Sequence, residues 1–71
     1  MKVLVVDDHP LVRKGIISTL AFEKEIEQAF EASSVKEAIS LLTKESPDIT
    51  VIDLYLGKED GMEVVNQAKA R

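Results

Sequence analysis

The chain predicts an α/β fold: three parallel strands in the order 2-1-3, with helices on both faces of the sheet. Two observations carry most of this. Lys2 to Val6 (KVLVV) and Ile49 to Ile52 (ITVI) are short β-branched runs without polar alternation, as in strands covered on both faces, and each runs directly into aspartate. Between and after them, stretches of helical periodicity alternate with strand-like ones, which gives the order β-α-β-α-β-α and implies right-handed parallel crossovers.

Each element follows from local chemistry. The first strand ends at Asp7 and Asp8, and Pro10 suits the first position of a helix that runs to about Ala21. Leu11, Val12, Gly15, Ile16, Thr19 and Leu20 recur at helical spacing and form its predicted inner face, with Arg13, Lys14 and Ser18 turned away. Phe22 to Glu25 is a charged connection. Ile26 to Ala32 is a weaker strand whose mixed polarity places it at a sheet edge.

Ser34 with Glu37 forms a capping-box pattern, and Val35, Ala38, Ile39 and Leu42 give the stripe of a second helix ending near Lys44. Ser46, Pro47 and Asp48 break it before the third strand. After Asp53, Leu54 to Leu56 carry the chain out and Gly57 to Gly61 make a polar loop, with Asp60 placed to cap a helix opening at Gly61. Gly61, Val64, Val65 and Ala68 form that helix's stripe, and Lys69 and Arg71 favour its C-terminus.

With the two most apolar strands side by side, their carboxyl ends form a topological switch point, where open α/β sheets place their chemistry. Asp7, Asp8 and Asp53 all fall there. Converging carboxylates repel one another until a cation or proton intervenes. A hard divalent ion such as magnesium resolves this with oxygen ligands: Asp7 or Asp8, Asp53, and the backbone carbonyl of Tyr55 reaching in from the loop. A carboxylate beside such an ion can also attack phosphorus and form an acyl phosphate.

Single features have plainer readings as well. Alone, Asp7 and Asp8 would only begin a turn and favour the next helix N-terminus; Asp53 on the neighbouring strand turns the balance toward a cation site. His9 reads as a residue at the start of the first helix, not a metal ligand or general base, because it is the chain's sole histidine. Tyr55 reads as a loop side chain whose backbone matters more, Asp60 as a cap, and the helix Lys and Arg residues as solvated faces.

Composition bounds the function. The 71 residues make one small domain, and a chain of this size buries only about 60% of its unfolded surface. Nine Lys and Arg against 13 Asp and Glu give a net charge of −4, so there is no basic stripe for direct nucleic-acid binding. The absence of cysteine excludes disulfides and thiolate metal sites. The first apolar run, Val3 to Val6, is too short for a signal-peptide core or a membrane span, and a soluble cytoplasmic protein is expected.

VLVVDDHP followed by VIDLYLGKEDG resembles the receiver domain of two-component response regulators, and DDHPLVRKGI resembles the members that carry a LuxR-type helix-turn-helix output domain. The resemblance covers the whole chain and implies a truncated flavodoxin-like (β-α)3 unit, three layers α/β/α, in which residues 1–71 are a partial receiver domain lacking the last two β-α units. It implies that Asp53 is the phospho-acceptor, that Asp7 and Asp8 hold Mg2+, and that Gly61 is the family's loop glycine. In an intact relative, Asp53 takes a phosphoryl group from a sensor histidine kinase, as signalling and not as enzyme turnover. Gly57 stands where the family has proline, and the family's Ser or Thr and Lys that contact the phosphoryl group have no counterpart here. Two other functions stand beside this one. A structural or engineered self-associating fragment without phosphotransfer is one. The other is a metal-dependent phosphohydrolase, which would need an acid at Tyr55. An unpaired third strand with no protective charge or proline predicts a two-fold homodimer through Thr50, Val51 and Ile52.

Overall fold

The computed structural model describes residues 1–53, 55–56 and 59–70, the pair 55–56 by backbone alone. Leu54, Gly57, Lys58, Arg71 and the side chains of Tyr55 and Leu56 lie outside the described residues, so Gly57, which stands where the family has proline, and the favourable charge of Arg71 lie there too.

The elements are β1 (Lys2–Val6), α1 (Pro10–Leu20), β2 (Gln28–Ala32), α2 (Val35–Glu45), β3 (Ile49–Ile52), β4 (Tyr55–Leu56), β5 (Glu59–Asp60) and α3 (Met62–Lys69). The main sheet has the predicted order β2-β1-β3, and both pairings are parallel. Strand β1 is central, with Val6 opposite Ala32 on one side and Ile52 on the other. The predicted polar loop before α3 instead contains a short antiparallel pairing of β4 with β5, Tyr55 opposite Asp60.

Period-two alternation divides β1 between two layers. Leu4 and Val6 join Ala32, Val35, Ala38, Leu42 and Val64 in a buried cluster beneath α2 and α3, with Phe30, Ile52 and Ala68 packed against it. Deleting the side chain of a buried leucine such as Leu42 costs about 2–5 kcal/mol in such a core. Val3 and Val5 point the other way and are buried where α1 lies on β1 and β2.

Helix α1 is turned from its predicted orientation. Leu11 is 89% exposed, and Val12, Gly15 and Thr19 are exposed too, whereas Arg13, Ile16, Ile17 and Leu20 are half-buried. The inward face is instead Arg13, Ile16, Ile17 and Leu20, at i, i+3, i+4 and i+7, and the Arg13 guanidinium on it reaches two acceptors, described below. The face bearing Leu11 and Val12 is left without a covering element among the described residues.

Helix α2 follows its caps. The Ser34 hydroxyl accepts the Glu37 N–H at 3.2 Å, and Glu37 reaches back to the Ser33 hydroxyl at 2.6 Å, one residue earlier than a strict capping box. That hydrogen bond is the main reason the Glu37 carboxyl is held below its usual range. Ser46 ends the helix in the left-handed region at φ 46°. Helix α3 begins at Met62 with Gly61 as its N-cap, and the Asp60 carboxylate accepts the Met62 N–H at 2.9 Å, so Asp60 caps from one position earlier than predicted. No helix among the described residues is long and apolar enough to cross a membrane.

Candidate functional site

The crevice at the carboxyl ends of β1 and β3 is fixed by the sheet ladder itself. Asp7 N–H donates to the carbonyl of Ala32 at 3.0 Å and Asp53 N–H to the carbonyl of Val6 at 2.9 Å, which extends the pairing one residue past each strand. Backbone hydrogen bonds therefore set where both acids begin. One ligand atom from each of Asp7, Asp8, His9 and Asp53 lies within 4.8 Å of every other. The structure thus brings together the three carboxylates singled out in the sequence. For Tyr55, the pairing with Asp60 is described; the position of its carbonyl relative to this cluster lies outside what is described.

The fourth member is His9, expected at the entry of the first helix. It does stand at the N-cap of α1, but its side chain makes no cap there. Its ring turns into the acids: Nδ1 is 2.9 Å from Asp7 Oδ1, 3.0 Å from Asp8 Oδ1 and 3.6 Å from Asp53 Oδ2. The His9 backbone N–H also donates to Asp7 Oδ1 at 2.8 Å, a local turn that aims the ring at the crevice. The available signal in the sequence was position, a histidine between an acidic pair and the helix-starting proline.

Arg13 does not lie on the solvated face expected of it. Its Nη1 donates to the backbone carbonyl of Asp7 at 2.7 Å and its Nε to Glu31 Oε1 at 2.9 Å, and its side chain is only 16% exposed. One guanidinium therefore ties α1 to the end of β1 and to β2. Glu59 links the loop after Asp53 to the second helix, with Oε1 accepting the Val35 N–H at 3.2 Å.

Asp7 is 6% exposed. Burial by itself pushes its carboxyl up, but the backbone and ring hydrogen bonds from His9 and the charges of His9 and Arg13 outweigh it, and the net shift is downward. His9 moves up, first through its hydrogen bond to Asp7 and then through the charges of Asp8, Asp7 and Asp53, against a smaller opposing effect of burial. Asp8 Oδ1 is buried and makes no hydrogen bond, although the His9 ring is near it. A buried carboxylate oxygen without a donor is costly unless a cation or proton reaches it. The set of hard oxygens around it suits a small divalent ion.

The sequence matches the family described as the response regulator receiver domain over residues 3–71. It is similar to the response regulator protein VraR of Staphylococcus aureus strain NCTC 8325 / PS 47, 44% identical over 69 residues that cover 97% of this chain and 33% of the relative. VraR of strain Mu3 / ATCC 700698 matches with the same identity and coverage. Among solved structures, a two-component response regulator of the LuxR family from Aurantimonas sp. SI85-9A1 superposes with a TM-score of 0.85 at 32% identity, covering 97% of this chain and 49% of that one. The chain spans about a third of the length of the curated relatives it matches. Sequence match and shared parallel sheet agree from β1 to α3, and the chain belongs to the response regulator receiver domain family.

Proposed function

We propose that this chain is the first part of a phospho-accepting switch in a two-component system, with Asp53 as acceptor and Asp7 and Asp8 as the acids that hold Mg2+. The observation that carries the reading is the convergence of these three carboxylates at adjacent strand ends, with Asp8 Oδ1 buried and lacking a hydrogen bond. In the step, a carboxylate oxygen of Asp53 attacks phosphorus, the bond from phosphorus to the kinase histidine nitrogen breaks, and that nitrogen keeps the electron pair. Magnesium, when bound, neutralises charge on the transferring oxygens. Asp7, fixed through its own N–H and through Arg13, positions the pair; the backbone of Asp53, fixed on Val6, positions the nucleophile. The Tyr55 carbonyl is the proposed additional oxygen ligand. The partner is a sensor histidine kinase, and the compartment is the cytoplasm.

The test is intact-mass measurement after incubation with phosphoramidate and magnesium. Because the Ser or Thr and Lys that contact the phosphoryl group in the family have no counterpart in these residues, at most a slow, partial gain of one phosphoryl group is expected, lost in Asp53→Asn; a gain that persists in Asp53→Asn would overturn the assignment.

A second property has its own observation. Ile49 and Val51 of β3, the outer strand of the described sheet, are 45% and 39% exposed. An apolar edge strand is a template for a second copy, and a homodimer through this strand is proposed for the 71-residue polypeptide.

A further inference from the structure

We infer that Glu59 is a positioning residue of the carboxylate site: its carboxylate straps the loop that follows Asp53 to the first turn of α2 and so holds the backbone of Tyr55 in place. The inference rests on the proposed reading of Asp7, Asp8 and Asp53 as a cation site to which the Tyr55 carbonyl adds an oxygen, and it names the residue that steadies that oxygen.

The backbone donors of α2 carry it. A helix leaves its first N–H groups without partners inside the helix. The local cap meets part of that need: the Ser34 hydroxyl accepts the Glu37 N–H at 3.2 Å, while the Glu37 carboxylate turns back to Ser33. The N–H of Val35, the first residue of the helix, is left to an acceptor from elsewhere. Glu59 Oε1 takes it at 3.2 Å, from 24 residues further along the chain. A carboxylate is the favourable acceptor there, because the helix N-terminus carries positive partial charge.

What Glu59 holds is a short hairpin. In the antiparallel pairing of β4 and β5, Leu56 is opposite Glu59 and Tyr55 opposite Asp60, so the backbone of Tyr55 is one residue pair away from the strap. The Asp60 carboxylate accepts the Met62 N–H at 2.9 Å and ties the same hairpin to the start of α3. Val35 of α2 and Val64 of α3 are buried in one core cluster, so the two carboxylates anchor the hairpin to helices that are packed together. At its other end the loop starts from Asp53, whose N–H is bonded to the Val6 carbonyl. Glu59 supplies the link from the loop to α2. An amide oxygen at the same place still accepts the Val35 N–H, whereas a methyl group does not.

The experiment is a titration with magnesium chloride, followed by 15N amide shifts, of the 71-residue polypeptide unmodified and as Glu59→Ala, Glu59→Gln, Ser34→Ala and Asp53→Asn. The amide spectrum of each variant establishes that it is folded. Ser34→Ala loosens the same helix end without touching the strap. The unmodified chain should bind magnesium, and Asp53→Asn should weaken binding. In the unmodified chain magnesium should shift the Val35 amide as well as those of Asp8 and Asp53, which a purely structural cap would not produce. Glu59→Ala should lower magnesium affinity about tenfold and abolish the response at Val35, as expected of a residue that orients a metal ligand. Glu59→Gln should keep most of the affinity and the response, and Ser34→Ala should keep the affinity. Unchanged affinity in Glu59→Ala, with binding still dependent on Asp53, would overturn the role of Glu59 and leave the carboxylate site standing. Equal losses in Ser34→Ala and Glu59→Ala would also overturn it, since the effect would then belong to the helix end and not to the strap. No binding by the unmodified chain, or binding indifferent to Asp53→Asn, would overturn this inference and the carboxylate site together.

Discussion

The Arg13 guanidinium is bonded to the backbone of Asp7, 2.7 Å from its carbonyl oxygen, and not to its carboxylate. The helix is thereby anchored to the strand end that presents the acid, and the Asp7 carboxylate is left to His9, whose backbone N–H and ring both reach Oδ1. Truncation to Arg13→Met keeps the aliphatic stem and removes both this bond and the bond to Glu31. Hydrogen bonds from charged groups contribute about 1.5–3 kcal/mol, less where solvent competes as it does at Glu31. A loss of about 1–3 kcal/mol in urea unfolding is expected. A variant as stable as the parent would show that α1 is held by its apolar contacts alone.

Stability near neutral pH should carry the signature of His9. Its folded-state pKa is raised, so its contribution is fully present below the unfolded value of about 6.5 and is lost as pH rises through the folded value. Asp7 has the opposite sign: its pKa is lowered, and its contribution is present above about 3.9 and lost as pH falls through the folded value. Melting temperatures of the parent and His9→Ala should therefore converge as pH rises from about 6 toward the alkaline side. A gap that widens with pH would have the wrong sign for this pairing.

How much of this was legible in the sequence depends on what fixed each element. The strands β1 and β3 were readable as strands because KVLVV and ITVI are short β-branched runs, and the order followed from handedness; the covering of both faces expected of them holds for β1 but not for β3, where Ile49 and Val51 stay exposed. The convergence of Asp7, Asp8 and Asp53 came with the topology. The orientation of α1 was not readable, because apolar periodicity does not register an inward arginine whose two acceptors, the Asp7 carbonyl and Glu31, come from separate strands. The entry position of His9 was readable from the proline that follows it, but not the turn of its ring toward the acids, which is visible only once three carboxylates surround Nδ1. The β4–β5 pairing carries no alternating pattern over its two residues on each side.

Two backbone positions are occupied by residues ill-suited to them. Gly15 lies inside α1, and a Cβ there would meet no neighbouring atom, so Gly15→Ala should stabilise by about 0.5–1 kcal/mol through the unfolded chain's lost freedom. Ser46 ends α2 at φ 46°, a region that glycine enters without the Cβ penalty, and Ser46→Gly should gain up to about 1 kcal/mol. Denaturant midpoints of the two single variants and the double variant check both, and the effects should add because the sites share no contacts among those described. Destabilisation by Gly15→Ala would mean that something covers the open face of α1.

The open flank of the sheet leads to the last expectation. Ile49 and Val51 pair in register with Val3 and Val5 and share their side of the sheet, yet Val3 and Val5 are buried whereas Ile49 and Val51 are not. The difference is that α1 lies over β1 and β2 and leaves β3 bare. Leu11 and Val12 are exposed on α1 as well, so apolar surface is left open on both the helix and the strand. Bare apolar surface next to a strand edge favours pairing with a second copy, and neither lysine nor proline interrupts Ile49 to Ile52. Sedimentation of the 71-residue polypeptide at micromolar concentration should show a dimer. Val51→Lys places a charge on the bare flank and should shift the equilibrium to monomer; because Val51 is part-exposed in the single chain, the substitution should cost the monomer itself little. Hydrogen exchange distinguishes the cause: the β3 amides should be protected in the dimer and lose that protection in Val51→Lys. A monomer at all concentrations, with β3 amides already protected, would mean that the edge is satisfied within one chain.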